Sequence, residues 1–145
     1  MSNKASSICY FDSSVLLRYS IRQVHAITNI EKYANGASSS VIARVECMRV
    51  LDRWRLTREI SDAKLSEARS RCLKLLGSLR LVELDAATLE LASQTFPIAL
   101  KTLDALHLAT ALRLKQQLRT EISMITHDQK LALASEALGL QVVGL

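Results

Sequence analysis

Four acidic side chains stand in contexts that could support chemistry. Asp12 ends the apolar run Ile8-Cys9-Tyr10-Phe11, and Ser13, Ser14 and a helix-compatible stretch from Val15 follow it. Such a run reads as a buried strand. A carboxylate at its C-terminal edge lies where ligands collect in open α/β sheets, although Asp also suits the N-cap of the next helix. Asp128 repeats the pattern after Ile122-Ser123-Met124-Ile125-Thr126. Asp104 is flanked by Leu100, Leu103, Ala105, Leu106, Leu108 and Ala109, on a helix apolar around most of its circumference. A carboxylate there must be paired, hydrogen-bonded or metal-bound, or else draw on the dipole of its own first turn. Glu46 falls between Ile42 and Val50, with Arg49 at i+3. It is either at the edge of a buried face or in an ordinary surface ion pair.

Taken together, two acids leave strand ends that a parallel sheet brings to one rim. The other two lie on helices entering the same region. Converging carboxylates raise each other's pKa values unless a cation intervenes. An all-oxygen set with hydroxyls nearby suits Mg²⁺ or Mn²⁺ rather than Zn²⁺. Such a site can generate hydroxide from water and stabilise charge developing at phosphorus. A histidine base offers a metal-free route, through His25, His107 or His127. No second histidine stands at a helical spacing from His107, and the His127 side chain is expected to point away from that of Asp128. The carboxylates are the preferred source of an activated water.

The elements that must position these acids follow from periodicity. Strands are expected at Ile8–Phe11, Leu79–Leu84, 122–126 and 141–143, with 37–40 a brief strand or turn. Helices are expected from Val15, over 22–35 (Val24, Ile27, Ile30 and Ala34 at helical spacing), from Val41 to about Arg55 and from Asp62 to Leu76. Three more run from Ala86 to about Thr95, Leu103 to about Leu118 and Gln129 to Leu138. Ser39 or Ser40, Ser61, Asp85 and Thr102 are the candidate caps at helix starts, and Gly36, Gly77 and Gly139 at helix ends. Val41, Val45 and Met48 form the expected apolar stripe of the helix that carries Glu46. Alternating strands and helices imply a helix-rich α/β fold, a short parallel sheet covered on both faces.

The 145 residues suit a single domain, 1–145. The formal charge of +5 favours polyanionic partners, nucleic acid first, while 4% aromatic content disfavours a base-stacking platform. Cys9, Cys47 and Cys72 form no CxxC pair and read as reduced, buried small hydrophobes of a cytoplasmic protein. No signal peptide and no membrane span are expected.

The motifs Tyr-Phe-Asp12-Ser-Ser, Ser-Ser-Val-Ile-Ala-Arg-Val-Glu46, Leu-Asp104-Ala-Leu-His107-Leu-Ala and Met-Ile-Thr126-His-Asp128 occur in that order. In order and spacing the chain resembles the PIN domain family, and within it the VapC-like toxins of toxin–antitoxin pairs. The resemblance spans essentially the whole chain. It implies a three-layer α/β/α fold and a divalent-metal-dependent ribonuclease, with RNA as substrate, a small antitoxin as partner and a homodimer as the usual assembly. It implies that Asp12, Glu46, Asp104 and Asp128 form the acidic quartet, with Asp12 and Asp104 the surest Mg²⁺ or Mn²⁺ ligands. Ser13 and Thr126 would orient carboxylates or metal-bound water, and Arg49 and His107 would stand behind the ligands or contact phosphate.

Two other functions compete. One is a non-catalytic module of the same fold that binds RNA or protein, although four costly neighbouring charges then lack a purpose. The other is a small phosphohydrolase with Asp12 as nucleophile. Apolar faces on the helices between residues 15 and 76 are open to use as core, dimer contact or antitoxin groove.

Overall fold

The computed structural model describes residues 7–23, 26 and 30–144. In chain order the elements are β1 (Ile8–Phe11), α1 (Ser13–Ser20), α2 (Ile30–Ala34), β2 (Ser38–Ser40), α3 (Ile42–Leu56) and α4 (Asp62–Ser78). Then come β3 (Arg80–Val82), α5 (Ala86–Ala92), α6 (Thr102–Leu118), β4 (Ile122–Ile125), α7 (Gln129–Ala137) and β5 (Gln141–Val143). The strands form one parallel sheet in the order β3-β2-β1-β4-β5. The chain builds outward from β1 through β2 and β3, then restarts on the other side with β4. The order therefore reverses between β1 and β4, and a crevice opens there beyond the strands' carboxyl ends.

Strand alternation assigns the core. Tyr10, Ile122 and Met124 face Leu108, Ala111, Leu114 and Leu131 of α6 and α7. Phe11 and Ile125 face the opposite cluster, built from Val15 and Leu16 of α1, Cys47 and Leu51 of α3 and Ala68 and Cys72 of α4. With helices on both faces, β1 and β4 have no solvated side, which is why their sequences read as apolar runs. Phe11 pairs with Ile125 in register, so Asp12 and Thr126 leave adjacent strands side by side.

Several local expectations change. Of the helix expected over 22–35, the described residues form only α2: Arg22 takes a positive φ of 53° and Gln23 and Ala26 are not helical, while Val24, His25 and Ile27 lie outside the described residues. Of the stripe expected on α3, Val41, Val45 and Met48, Met48 packs partly buried against the core but Val45 does not. Val45 is 64% exposed, and the buried positions are Ala43, Cys47 and Leu51. Small Ala43 and Cys47 let α3 pack closely, which a β-branched stripe would prevent. Gly77 does not end α4, which runs on to Ser78. Gly139 does take a positive φ, +86°, after α7, a conformation a side chain would oppose. Thr102 is the first residue of α6 rather than its cap. Ser40 accepts from the Ile42 amide at 3.3 Å, but as the last residue of β2, and Val41 holds the N-cap position of α3. Cys47 and Cys72 are buried free thiols, while Cys9 is only partly buried. Among the described residues, no helix is long and apolar enough to cross a membrane.

Candidate active site

Asp12 is 2% exposed at the mouth of the crevice. It caps α1 by accepting from the Val15 amide at 3.3 Å. Ser14 Oγ donates to Oδ1 at 2.7 Å and Thr126 Oγ1 to Oδ2 at 2.7 Å. The His127 amide donates to Ser14 Oγ and the Asp128 amide to Thr126 Oγ1, both at 2.9 Å. Each hydroxyl accepts from a backbone amide, so its own proton is free for the carboxylate. The same bonds tie the start of the α7 segment to the end of β1. Burial raises the Asp12 pKa, while His107 and the two hydroxyls oppose that rise. Oδ1 already accepts from both the Val15 amide and Ser14, so Oδ2, with Thr126 as its one partner, keeps the lone pair open to a small cation, and a phosphate ester would have to displace these partners. That weakens the nucleophilic phosphohydrolase alternative.

Glu46 is held at both oxygens. Ser13 Oγ donates to Oε2 at 2.8 Å, and His107 Nε2 lies 2.6 Å from Oε1. Its partner is thus not Arg49, whose guanidinium bonds Asp52 at 3.1 Å with 69% of the side chain exposed. Arg49 is therefore occupied at the surface rather than behind the acids. His107 is fully buried, and Tyr10 takes its other ring nitrogen, so it does not reach a substrate as a base.

Asp104 enters on the first turn of α6, and Asp128 caps α7 by accepting from the Leu131 amide at 2.8 Å. Both line a cavity of about 460 Å³ with Lys101, His127, Gln129 and Lys130. The Asp104 pKa is raised to about 6, chiefly by burial and then by the charges of Asp128 and Asp12, with a smaller push from Glu46. His127 lines this same cavity, and its pKa is lowered by burial and by Arg18. The four acids expected from the sequence are thus brought to one rim. Asp12 and Asp128 serve as helix caps and rim acids at once.

Ser14 and Tyr10 were not singled out from sequence. Ser13 and Ser14 are adjacent and alike, and only the fold assigns the first to Glu46 and the second to Asp12. Among the described residues, no three His, Cys, Asp or Glu side chains already stand in metal-holding geometry. The donor set still fits a hard cation: every candidate ligand is oxygen, and burial together with the charges of Asp128 and Asp12 disfavours an uncompensated Asp104 carboxylate.

A parallel sheet covered by helices, with acids near its switch point, defines an open α/β protein whose ligands are expected at that crevice. Within that class the family is plain: the PIN domain matches residues 9–136, and the chain belongs to the PIN domain family. It is similar to Ribonuclease VapC46 of Mycobacterium tuberculosis (strain ATCC 25618 / H37Rv), 32% identical over 92% of this chain and 95% of that protein. Ribonuclease VapC47 of Mycobacterium tuberculosis (strain CDC 1551 / Oshkosh) is 28% identical over 84% of this chain and 85% of its own. In fold the chain resembles FitAcB from Neisseria gonorrhoeae, with a TM-score of 0.65 at 13% identity, over 93% of this chain and 96% of that one. PAE2754 from Pyrobaculum aerophilum gives 0.61 at 17% identity, over 94% and 84%.

Proposed function

We propose that this chain is an endoribonuclease, the toxin of a toxin–antitoxin pair, and that it uses Mg²⁺ or Mn²⁺ held by Asp12, Asp104, Glu46 and Asp128. The observation that carries this reading is the placing of Asp104, half-buried, close enough to Asp128, Asp12 and Glu46 to feel the charge of each. The two mycobacterial relatives, both called ribonucleases, support the activity and substrate class. A bound divalent cation would offset the acids' charge and supply an activated water for in-line attack on the RNA phosphorus, leaving a 5′-phosphate and a 3′-hydroxyl. The chain's own contribution is to fix the carboxylates. Ser14 and Thr126 hold Asp12, Ser13 and His107 hold Glu46, and the α7 N-cap holds Asp128. A small antitoxin, a homodimeric assembly and a cytoplasmic site of action complete the proposal.

Purified protein is expected to cut single-stranded RNA in Mg²⁺ or Mn²⁺, to stop in EDTA and to resume when the metal is restored. Full activity in EDTA would overturn the metal mechanism. Lys101 and Lys130 beside Asp104 and Asp128 are suited to neutralising RNA phosphates. In EDTA, where RNA is bound and not cut, replacing either lysine with Ala is expected to reduce the salt-dependence slope of binding by about 0.7. Fluorescence anisotropy across a salt series reads this, and unchanged slopes would remove the lysines from the RNA path.

A further inference from the structure

A buried polar chain reaches the acidic rim from inside the sheet. Tyr10 lies on the face of β1 that packs on α6, and His107 lies on α6; both are 0% exposed. The Tyr10 hydroxyl is 2.7 Å from His107 Nδ1, with the rings edge-on at 5.8 Å and 70°. On its far side His107 Nε2 meets Glu46 Oε1 at 2.6 Å, and Ser13 closes the chain at Oε2. An ionised glutamate only accepts, so the imidazole proton on Nε2 points at Glu46. Behind the phenol stand the Ser40 backbone and Thr110, whose own hydroxyl donates to the Leu106 carbonyl at 2.7 Å. Each member is therefore braced from behind, and the last one is a carboxylate whose side chain is only 12% exposed. Phe and Leu would fill the same core volume without polar atoms to satisfy. The placement of a Tyr and a His here makes sense if the end of the chain matters.

We propose that Tyr10 and His107 are positioning residues, which hold the Glu46 carboxylate in a fixed orientation at the acidic rim through the buried Tyr10–His107–Glu46 chain. Its consequence for catalysis rests on the nuclease reading, but the chain itself is testable without RNA. In the metal-free protein, Tyr10→Phe and Glu46→Gln are each expected to shift the His107 ring resonances in ¹⁵N–¹H spectra, while Arg49→Ala leaves them in place. Calorimetric titration with Mn²⁺ is expected to show affinity about 10–100-fold weaker in Tyr10→Phe and His107→Leu. In the same variants kcat falls and the KM for RNA is unchanged. His107→Gln, whose amide can still donate to Glu46, is expected to recover part of the loss, which a purely structural role would not produce. Wild-type Mn²⁺ affinity and kcat in folded Tyr10→Phe and His107→Leu proteins would overturn the proposal. So would ring resonances indifferent to Glu46→Gln. If the wild-type protein neither binds Mn²⁺ nor cuts RNA, the nuclease reading fails, and the ring resonances alone decide the chain, for or against.

Discussion

Asp12→Asn is expected to lower RNA cleavage by at least about 10³-fold, on the order of 4 kcal/mol of lost transition-state stabilisation. Folding is expected to change little. The native carboxylate is buried and its pKa is pushed up, so a neutral amide relieves a desolvation penalty. Against that, the Asn NH₂ faces a hydroxyl that already accepts from a backbone amide and now has no carboxylate for its own proton. These effects oppose one another. Asp12→Ala removes both acceptors at once. Ser14 and Thr126 then lose their partner, at about 1–3 kcal/mol for each buried group left unsatisfied. The joint prediction is an inactive Asn variant melting close to wild type and an inactive Ala variant melting several degrees lower. Thermal melts and gel-based RNA cleavage read both. An Asp12→Asn protein that retains substantial cleavage would remove Asp12 from the reaction.

The contrast between what sequence revealed and what it hid follows the range of the interactions. β1 and β4 are legible because both faces are buried, so their positions are apolar but for Ser123, and polar residues mark where the chain leaves the sheet. That break exposed Asp12 and Asp128. β2 was only half legible, because Ser38-Ser39-Ser40 carries no hydrophobic pattern. All three are buried; Ser39 Oγ donates to the Phe11 carbonyl at 2.7 Å across the sheet, and Ser40 Oγ accepts locally from the Ile42 amide at 3.3 Å. Small polar side chains make room there where α6 crosses, a tertiary reason that no local window contains. Glu46 illustrates the same limit. Its sequence-local partner was Arg49, three residues on, yet its actual partners are Ser13 and His107, 33 and 61 residues away. Arg49 had an equally spaced alternative in Asp52, three residues on. On α3 the expected stripe failed at Val45 because Val45 and Cys47 both suit a helix, and burial went to the residue small enough for the close approach of α4.

Asp104→Asn is expected to abolish cleavage while making the metal-free protein more stable above pH 6. The folded-state pKa is raised from 3.8 to about 6, so the native state holds a proton through a window in which the unfolded chain has released it. Stability then falls as pH rises from about 4 to 6 and stays low above, the reverse of an ordinary salt-bridged carboxylate. At 1.36 kcal/mol per pH unit the full shift would come to about 3 kcal/mol. Asp104 is only half-buried, so solvent screening reduces this to about 1–2 kcal/mol. The Asn variant lacks that liability and should unfold later in EDTA at pH 8, with the difference vanishing near pH 4. Adding Mn²⁺ should reverse the order. A cation among Asp12, Asp104 and Asp128 binds only the folded wild type strongly, contributing about 2.7 kcal/mol at a hundredfold excess over Kd. The variant, one ligand short, gains less. Denaturant melts at pH 4 and pH 8, with EDTA and with Mn²⁺, read all four conditions. If the variant is the less stable protein in EDTA at pH 8, burial and the neighbouring acids are not what governs Asp104. If Mn²⁺ raises both proteins equally, Asp104 is not part of the metal site.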